Sequence, residues 1–357
     1  MSTKRVYNFN AGPAAMPLEV LKRMKDGFME FGGMSILEIS HRSKEFQAVI
    51  DEARGLLKEL MGVPDTHDIL LLQGGAAQQF AMVPMNLMEG SADYVITGHW
   101  SKQALKEAQI VGEPKVIFTT EEAKFSRVPK ASEIKPNPGT SYVHITTNNT
   151  IYGTEYYEFP DTGNVPLVAD MSSDILSRKI DVSKFGLIYA GAQKNLGPAG
   201  VTVVVIKKDL IERNPRKIPV IFRYKTHSEK GSLYNTPPVI SIYVMMLYLR
   251  WIKEQGGVAE IERRNVRKAE LLYDAIDRSD LFKGTTEKAS RSRMNIDFVL
   301  PTQEQTDKFV AGAKEKGIVG IKGHRNVGGM RASLYNAVTE EAVLALTGYM
   351  DEFRRKS

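Results

Sequence analysis

Lys194 is the residue on which chemistry could turn. It stands in Tyr189-Ala190-Gly191-Ala192-Gln193-Lys194-Asn195-Leu196-Gly197-Pro198-Ala199-Gly200, between the apolar, strand-like runs 186–189 and 201–206. Small neighbours leave the ε-amine uncrowded, and Gly197-Pro198 turns the chain just beyond it, so the amine can face a cleft at a sheet edge. Partial desolvation there disfavours the cation and favours an amine that condenses with a carbonyl. Taken alone, the same pattern also describes an ordinary loop lysine in water.

A second group answers the first. Val165-Pro166-Leu167-Val168-Ala169-Asp170 reads as a strand ending in an acid. Ligands of open α/β sheets collect beyond the carboxyl ends of the strands, so Asp170 and Lys194 can reach one cleft. A carboxylate opposing an imine-forming lysine suits pyridoxal phosphate, because it keeps the pyridine nitrogen protonated and the ring electron-accepting. Asp170 alone could equally cap its strand. Gly74-Gly75-Ala76-Ala77 joins a strand to a helix, where free backbone N–H groups and the helix dipole favour an anion; glycine pairs in that setting are also plain turns. Trp100, at another strand-to-helix junction, could stack on a flat ring or belong to the core.

The elements that must hold these groups follow from hydrophobic spacing. Strand-like runs at 69–72, 94–97, 116–118, 142–145, 165–169, 187–190 and 201–206 alternate with helical patterns. That alternation predicts an α/β architecture with a mostly parallel central sheet covered on both faces. Pro17 opens a helix to about Met29. Another begins near Lys44, with Phe46, Val49, Ile50, Ala53, Leu56, Leu57 and Leu60 on one face, and stops at Gly62. Helices over about 239–253 and on to Ile276 lead to a smaller α+β region with strands at 294–299 and 330–335. The expected division is an N-terminal arm (1–15), a large domain (16–256) and a small C-terminal domain (257–357).

Composition narrows the function. The chain has 357 residues, 42% hydrophobic and 25% charged, with a net charge of +6 and no cysteine. Disulfides, thiolate metal sites and a cysteine nucleophile are excluded, and no metal is expected. The basic residues are scattered or lie in candidate site loops, which argues against nucleic acid and for an anionic small molecule. No apolar run reaches membrane-spanning length and the start lacks a signal-peptide core, so a cytoplasmic protein without membrane partners is expected.

Asp170, the run 190–200, Asn235-Thr236-Pro237-Pro238 and Gly323-His324-Arg325-Asn326-Val327-Gly328-Gly329-Met330-Arg331-Ala332-Ser333 carry a resemblance. From Phe9-Asn10-Ala11-Gly12-Pro13 to the last helix the chain is similar to class V aminotransferases, in particular the branch that exchanges an amino group between glutamate and 3-phosphohydroxypyruvate. The resemblance implies the pyridoxal phosphate-dependent transferase fold of type I and a homodimer with shared sites. Lys194 would form the imine with the cofactor and carry the substrate proton. Asp170 would pair with the pyridine nitrogen, Trp100 stack on the ring, and Thr150 approach the ring hydroxyl. Ser172, Gln193 and the amides of Ala76 and Ala77 would hold the phosphate, joined by Asn235 and Thr236 of the other subunit. Where some relatives have an arginine, Ala77 offers no side chain.

For substrates the resemblance implies Arg331 on the α-carboxylate. His324 and Arg325 would bind the distal anion, with His41 and Arg42 donated across the dimer. Guanidinium forks and titratable imidazoles suit a pocket that takes both a phosphate ester and a side-chain carboxylate. The product would be O-phospho-L-serine for serine biosynthesis, with 4-phosphohydroxy-L-threonine formation as a second use. The rival readings are an aminotransferase of the alanine or serine–glyoxylate type, and a nucleotide-binding module using Gly74-Gly75.

Overall fold

The computed structural model describes residues 5–325 and 327–356; residues 1–4 of the expected arm, Asn326 of the glycine-rich motif and Ser357 lie outside the described residues. In chain order the first elements are β1 (Tyr7–Asn8), α1 (Leu18–Met29), α2 (Lys44–Met61), β2 (His67–Gly74), α3 (Ala76–Leu87), β3 (Asp93–Ile96), α4 (His99–Val111) and β4 (Lys115–Thr119). Then come β5 (Val143–Thr146), β6 (Asn148–Asn149), β7 (Thr154–Glu155), β8 (Leu167–Asp170), β9 (Leu187–Gly191) and β10 (Gly200–Lys207). The chain continues through α5 (Lys208–Ile211), α6 (Tyr224–Glu229), α7 (Val239–Glu254), α8 (Gly257–Asp277), β11 (Lys283–Gly284) and β12 (Asn295–Val299). It closes with α9 (Gln303–Glu315), β13 (Ile318–Val319), β14 (Met330–Ser333) and α10 (Glu340–Lys356).

A 7-stranded sheet in the order β2-β10-β9-β8-β5-β3-β4 forms the centre. All its pairs are parallel except those made by β10, which runs antiparallel to both β2 and β9. The expected mostly parallel sheet is found. The reversal of β10 was not read from the sequence, because strand direction leaves no mark on an apolar run. It has a consequence for the site: β9 returns directly into β10, and the connection holding Lys194 stays at the sheet's edge.

Both faces of the sheet are buried, which is why its strands read as continuous apolar runs. Ile69, Leu71, Val143, Ile145, Ile188 and Val203 face one side, toward α1, α2 and α7; Leu70, Leu72, Tyr94, Tyr189 and Val204 face the other, toward α3 and α4. Helix α2 shows the coupling of pattern and packing. Its buried residues fall on one stripe, Ser43 caps its start by accepting from Phe46 N, and Gly62 ends it in the left-handed conformation. Such a side-chain cap stabilises by about 1 kcal/mol. Helix α7, buried along nearly its whole length, is apolar all round.

A third apolar cluster lies under the antiparallel sheet β11-β12-β14, where Ile296, Phe298, Met330 and Ala332 meet α8, α9 and α10. The N-terminal segment belongs to this layer rather than forming only a polar arm. β1 pairs in parallel with β13, and Phe9 is fully buried in the third cluster. The small sheet is also stitched to the loops of the large one. Asn148 Nδ2 donates to Ser173 Oγ and Asn295 Oδ1 at 2.9 and 2.8 Å, and Asn336 N donates to Asn195 Oδ1 at 3.0 Å.

Candidate active site

Lys194 lies where the sequence reading put it, beyond the carboxyl end of β9. Leu196 N and Gly197 N both donate to Ala192 O, at 3.0 and 2.9 Å, so the loop folds into a tight turn. Asn195 is buried within it and fixes the turn from below. Lys194 is half-buried, and its Nζ donates to Thr150 Oγ1 at 2.5 Å. Burial pushes its pKa down to about 8, with Asp170 opposing the shift and Arg331 adding to it. The result is an amine far easier to deprotonate than a lysine in water.

Asp170 closes β8 at the same edge and is the pairing partner of Thr146 on β5 and Tyr189 on β9. Burial raises its pKa; hydrogen bonding from Ser172, whose N donates to Asp170 Oδ1 at 2.9 Å, and the charge of Lys194 pull the other way. Ser172 Oγ in turn accepts from Gly191 N at 3.2 Å. Serine 172 therefore joins the acid's strand to the start of the lysine's loop. Behind it, Asp174 accepts from Thr147 Oγ1 at 2.6 Å, and burial raises its pKa to about 7.

The turn at the end of β2 leads straight into α3, whose N-cap residue Gly75 supplies no side-chain cap and whose first turn carries no acid. The leading N–H groups, those of Ala76 and Ala77, are left for a ligand, in the position where an anion is held by backbone and dipole together. Trp100 is half-buried, one residue inside the start of α4, against the cluster of Phe80 and Tyr94. The helix begins at His99, where Ser101 Oγ accepts from Gly98 N and donates to Gly98 O.

The wall opposite Lys194 comes from the small sheet. Arg331 on β14 donates from Nη1 to Thr150 O at 3.2 Å, so Thr150 meets the lysine through its side chain and the arginine through its carbonyl. His324 and Arg325 lie in the turn before β14. His324 stands 6.2 Å, centroid to centroid, from His99, and burial, Lys106 and Arg325 lower the pKa of His99. The imidazole of His324 is likewise lowered, by burial and by Arg331. His99 is a residue the sequence reading passed over, since a histidine opening a helix has no distinguishing spacing.

The N-terminal turn forms the remaining side. Gly12 has φ +145°, and a Cβ there would stand 3.4 Å from Lys194 Cγ; Ala14 N donates to Gln193 O at 2.9 Å. Other expected residues are not gathered in the single chain. His41 and Arg42, before α2, hydrogen-bond to each other at 3.4 Å, and among the described residues neither shares a hydrogen bond or ion pair with Lys194, Asp170 or Arg331. Asn235 donates to Gln73 Oε1 at 3.2 Å, at the end of β2, and Thr236 is exposed beside it.

A deprotonable amine, a buried carboxyl, an uncapped helix start and an indole converge on one sheet edge. That donor set fits a flat, aldehyde-bearing, phosphorylated cofactor, and the cationic wall fits an anionic substrate. Comparison with known proteins points the same way. The family model described as aminotransferase class V matches residues 6–346. The phosphoserine aminotransferase of Geobacillus kaustophilus is 56% identical over 358 residues, spanning 99% of each chain. The solved phosphoserine aminotransferase from Bacillus circulans subsp. alkalophilus is 48% identical, covers 99% of both chains and superposes with a TM-score of 0.97. The pyridoxal phosphate-bound enzyme of the same name from Trichomonas vaginalis is 38% identical, with 97% of this chain and 100% of that one covered and a TM-score of 0.93.

Proposed function

The chain belongs to the class V aminotransferases, and on that premise we propose that it acts as a phosphoserine aminotransferase. It moves an amino group between L-glutamate and 3-phosphohydroxypyruvate, giving 2-oxoglutarate and O-phospho-L-serine, with pyridoxal phosphate as cofactor. The observation that carries this reading is the meeting of Lys194 and Arg331 on one residue, Thr150, which sets a nucleophilic amine beside a clamp for a carboxylate.

Pyridoxal phosphate, when bound, supplies an aldehyde to take up the amino group and a ring to accept the electrons of the breaking Cα–H bond. The protein's residues do the rest. The N–H groups of Ala76 and Ala77, with Ser172 and Gln193, would hold the phosphate, joined by Asn235 and Thr236 of the other subunit. Trp100 would stack on the ring, and Asp170 would keep the ring nitrogen protonated. Arg331 binds the substrate α-carboxylate and so fixes the Cα–H bond toward Lys194. The lysine amine, lowered to about 8, takes that proton near neutral pH and returns it. His324 and Arg325, with His41 and Arg42 of the partner, bind the phosphate or the distal carboxylate.

The active unit in this reading is a homodimer in the cytoplasm, and no helix among the described residues is long and apolar enough to cross a membrane. The phosphorylated four-carbon acid leading to 4-phosphohydroxy-L-threonine presents the same two anions and is a second substrate. The test is the absorption spectrum and turnover of purified protein. Phosphoserine alone should bleach the cofactor band, 2-oxoglutarate should restore it with formation of glutamate, and Lys194→Ala should lose both. Faster exchange with alanine and glyoxylate would sink the reading, as would a colourless protein that pyridoxal phosphate does not colour.

A further inference from the structure

Arg331, whose Nε is buried, is not the only charge-bearing group on its face of the small sheet. Asp297 on β12 is the direct pairing partner of Arg331 on β14, so the two side chains leave the same face of an antiparallel pair. Directly opposed positions bring Cβ atoms within about 5.5 Å, close enough for a carboxyl to reach a guanidinium. Asp297 is 3% exposed, and neither of its carboxyl oxygens has a hydrogen-bond partner. Arg331 Nε is also buried without a partner, and among the described residues Arg331 has no carboxylate ion pair. A buried unsatisfied polar group costs about 1–3 kcal/mol, so two such groups facing each other call for a reason.

The loop above supplies the third side. Gly153 has φ +65°, and a Cβ there would come within 2.8 Å of Asp297 Oδ2 and 3.0 Å of Asn295 O. That loop, 150–153, lies on the carboxyl of Asp297 and also presents the Thr150 carbonyl that Arg331 Nη1 holds. Arg331 thus has two anchors within reach, one on each side of its guanidinium. The geometry points to Asp297 as the positioning residue of the α-carboxylate clamp: across the short gap that leaves both groups without a partner it would accept from Arg331 Nε once substrate draws the guanidinium in, leaving Nη2 and the second N–H of Nη1 as a fork for the substrate.

Burial of the acid bears on this role. Burial holds the Asp297 carboxyl well above the usual carboxylate range, and only Arg331 opposes the shift. A neutral acid still offers its carbonyl oxygen to Nε but does not cancel the charge that draws the substrate. An ionised one would compete with the substrate for the guanidinium.

This inference rests on the reading of Arg331 as the α-carboxylate clamp, and its test separates the two. In the holoenzyme, Asp297→Leu should raise KM for glutamate and for phosphoserine together by about tenfold, with kcat within about twofold, because both substrates share the α-carboxylate. Asp297→Asn, which keeps the carbonyl acceptor, should bring KM back to within about threefold of the parent. On an Arg331→Lys background, which has no Nε, Asp297→Leu should add nothing further. A melting curve and the cofactor absorbance of each variant establish that it is folded and loaded. An unchanged KM in folded Asp297→Leu, or full additivity with Arg331→Lys, would overturn the positioning role. Unchanged KM in Arg331→Lys itself would instead overturn the clamp; were Asp297→Leu unable to fold, a tenfold loss in Asp297→Asn would tell against the neutral acceptor.

Discussion

Charge left unsettled at Lys194 gives the site its reactivity. Because burial moves this pKa down to about 8, the neutral amine accumulates as pH rises through that value rather than through the ~10.4 of a lysine in water. The rate at which cofactor-free protein combines with pyridoxal phosphate should therefore climb to about pH 8 and then level. A rate still climbing at about pH 10 would return the amine to solvent. Asp170 was legible in the sequence because it ends an apolar run, and Lys194 because it stands in a small-residue loop between two such runs. His99 and Asp297 were not. One opens a helix and the other sits inside a strand, and each acquires meaning only through a neighbour distant in sequence, His324 or Arg331.

Elements carry these side chains to the edge, and here the sequence was informative where the local rule was strong. Ser43 and Gly62 bracket α2, and the small-residue turn after β2 marks the start of α3. The short strand β1 escaped notice, since two residues cannot show a period and their burial depends on β13. That strand nevertheless determines how the N-terminal turn reaches the lysine. Phe9 anchors the segment, Tyr335 Oη donates to Ala11 O at 2.8 Å, and Gly12 then lies against the Lys194 stem. Valine at 12 has to hold a backbone that suits only glycine, at about 1–3 kcal/mol. It also has to place its methyl groups where the lysine stem runs. Gly12→Val should keep a cooperative melting transition but lose about a hundredfold in kcat through displacement of the amine. Unchanged turnover would show that the turn is only a neighbour of the site.

At the scale of the molecule, the large sheet carries Lys194, Asp170 and the uncapped start of α3, the small sheet carries Arg331, and buried asparagines lock one to the other. Lys268 on α8 braces the small sheet itself: its Nζ donates to Leu334 O and Tyr335 O, at 2.7 and 2.9 Å, just beyond β14. Alternating strands and helices made the layers legible, whereas strand order and the reversal of β10 are settled by long-range pairing that no local pattern encodes. Two features of the single chain point to a second copy. Phe28 and Met29 at the end of α1, and Met34 and Leu37 in the link to α2, are exposed, with Met29 72% and Leu37 54% accessible, and His41 and Arg42 follow at once, their side chains hydrogen-bonded to each other. Exposed apolar residues of this kind mark an interaction face. If a second copy covers that face and receives Arg42, then an inactive Lys194→Ala chain and a weakened Arg42→Ala chain repair each other. Each mixed dimer has one site with both defects and one with neither, so unfolding and refolding an equal mixture should recover about a quarter of the parent's activity. Activity no higher than the average of the two variants, in dimers verified as mixed, would confine each site to one chain.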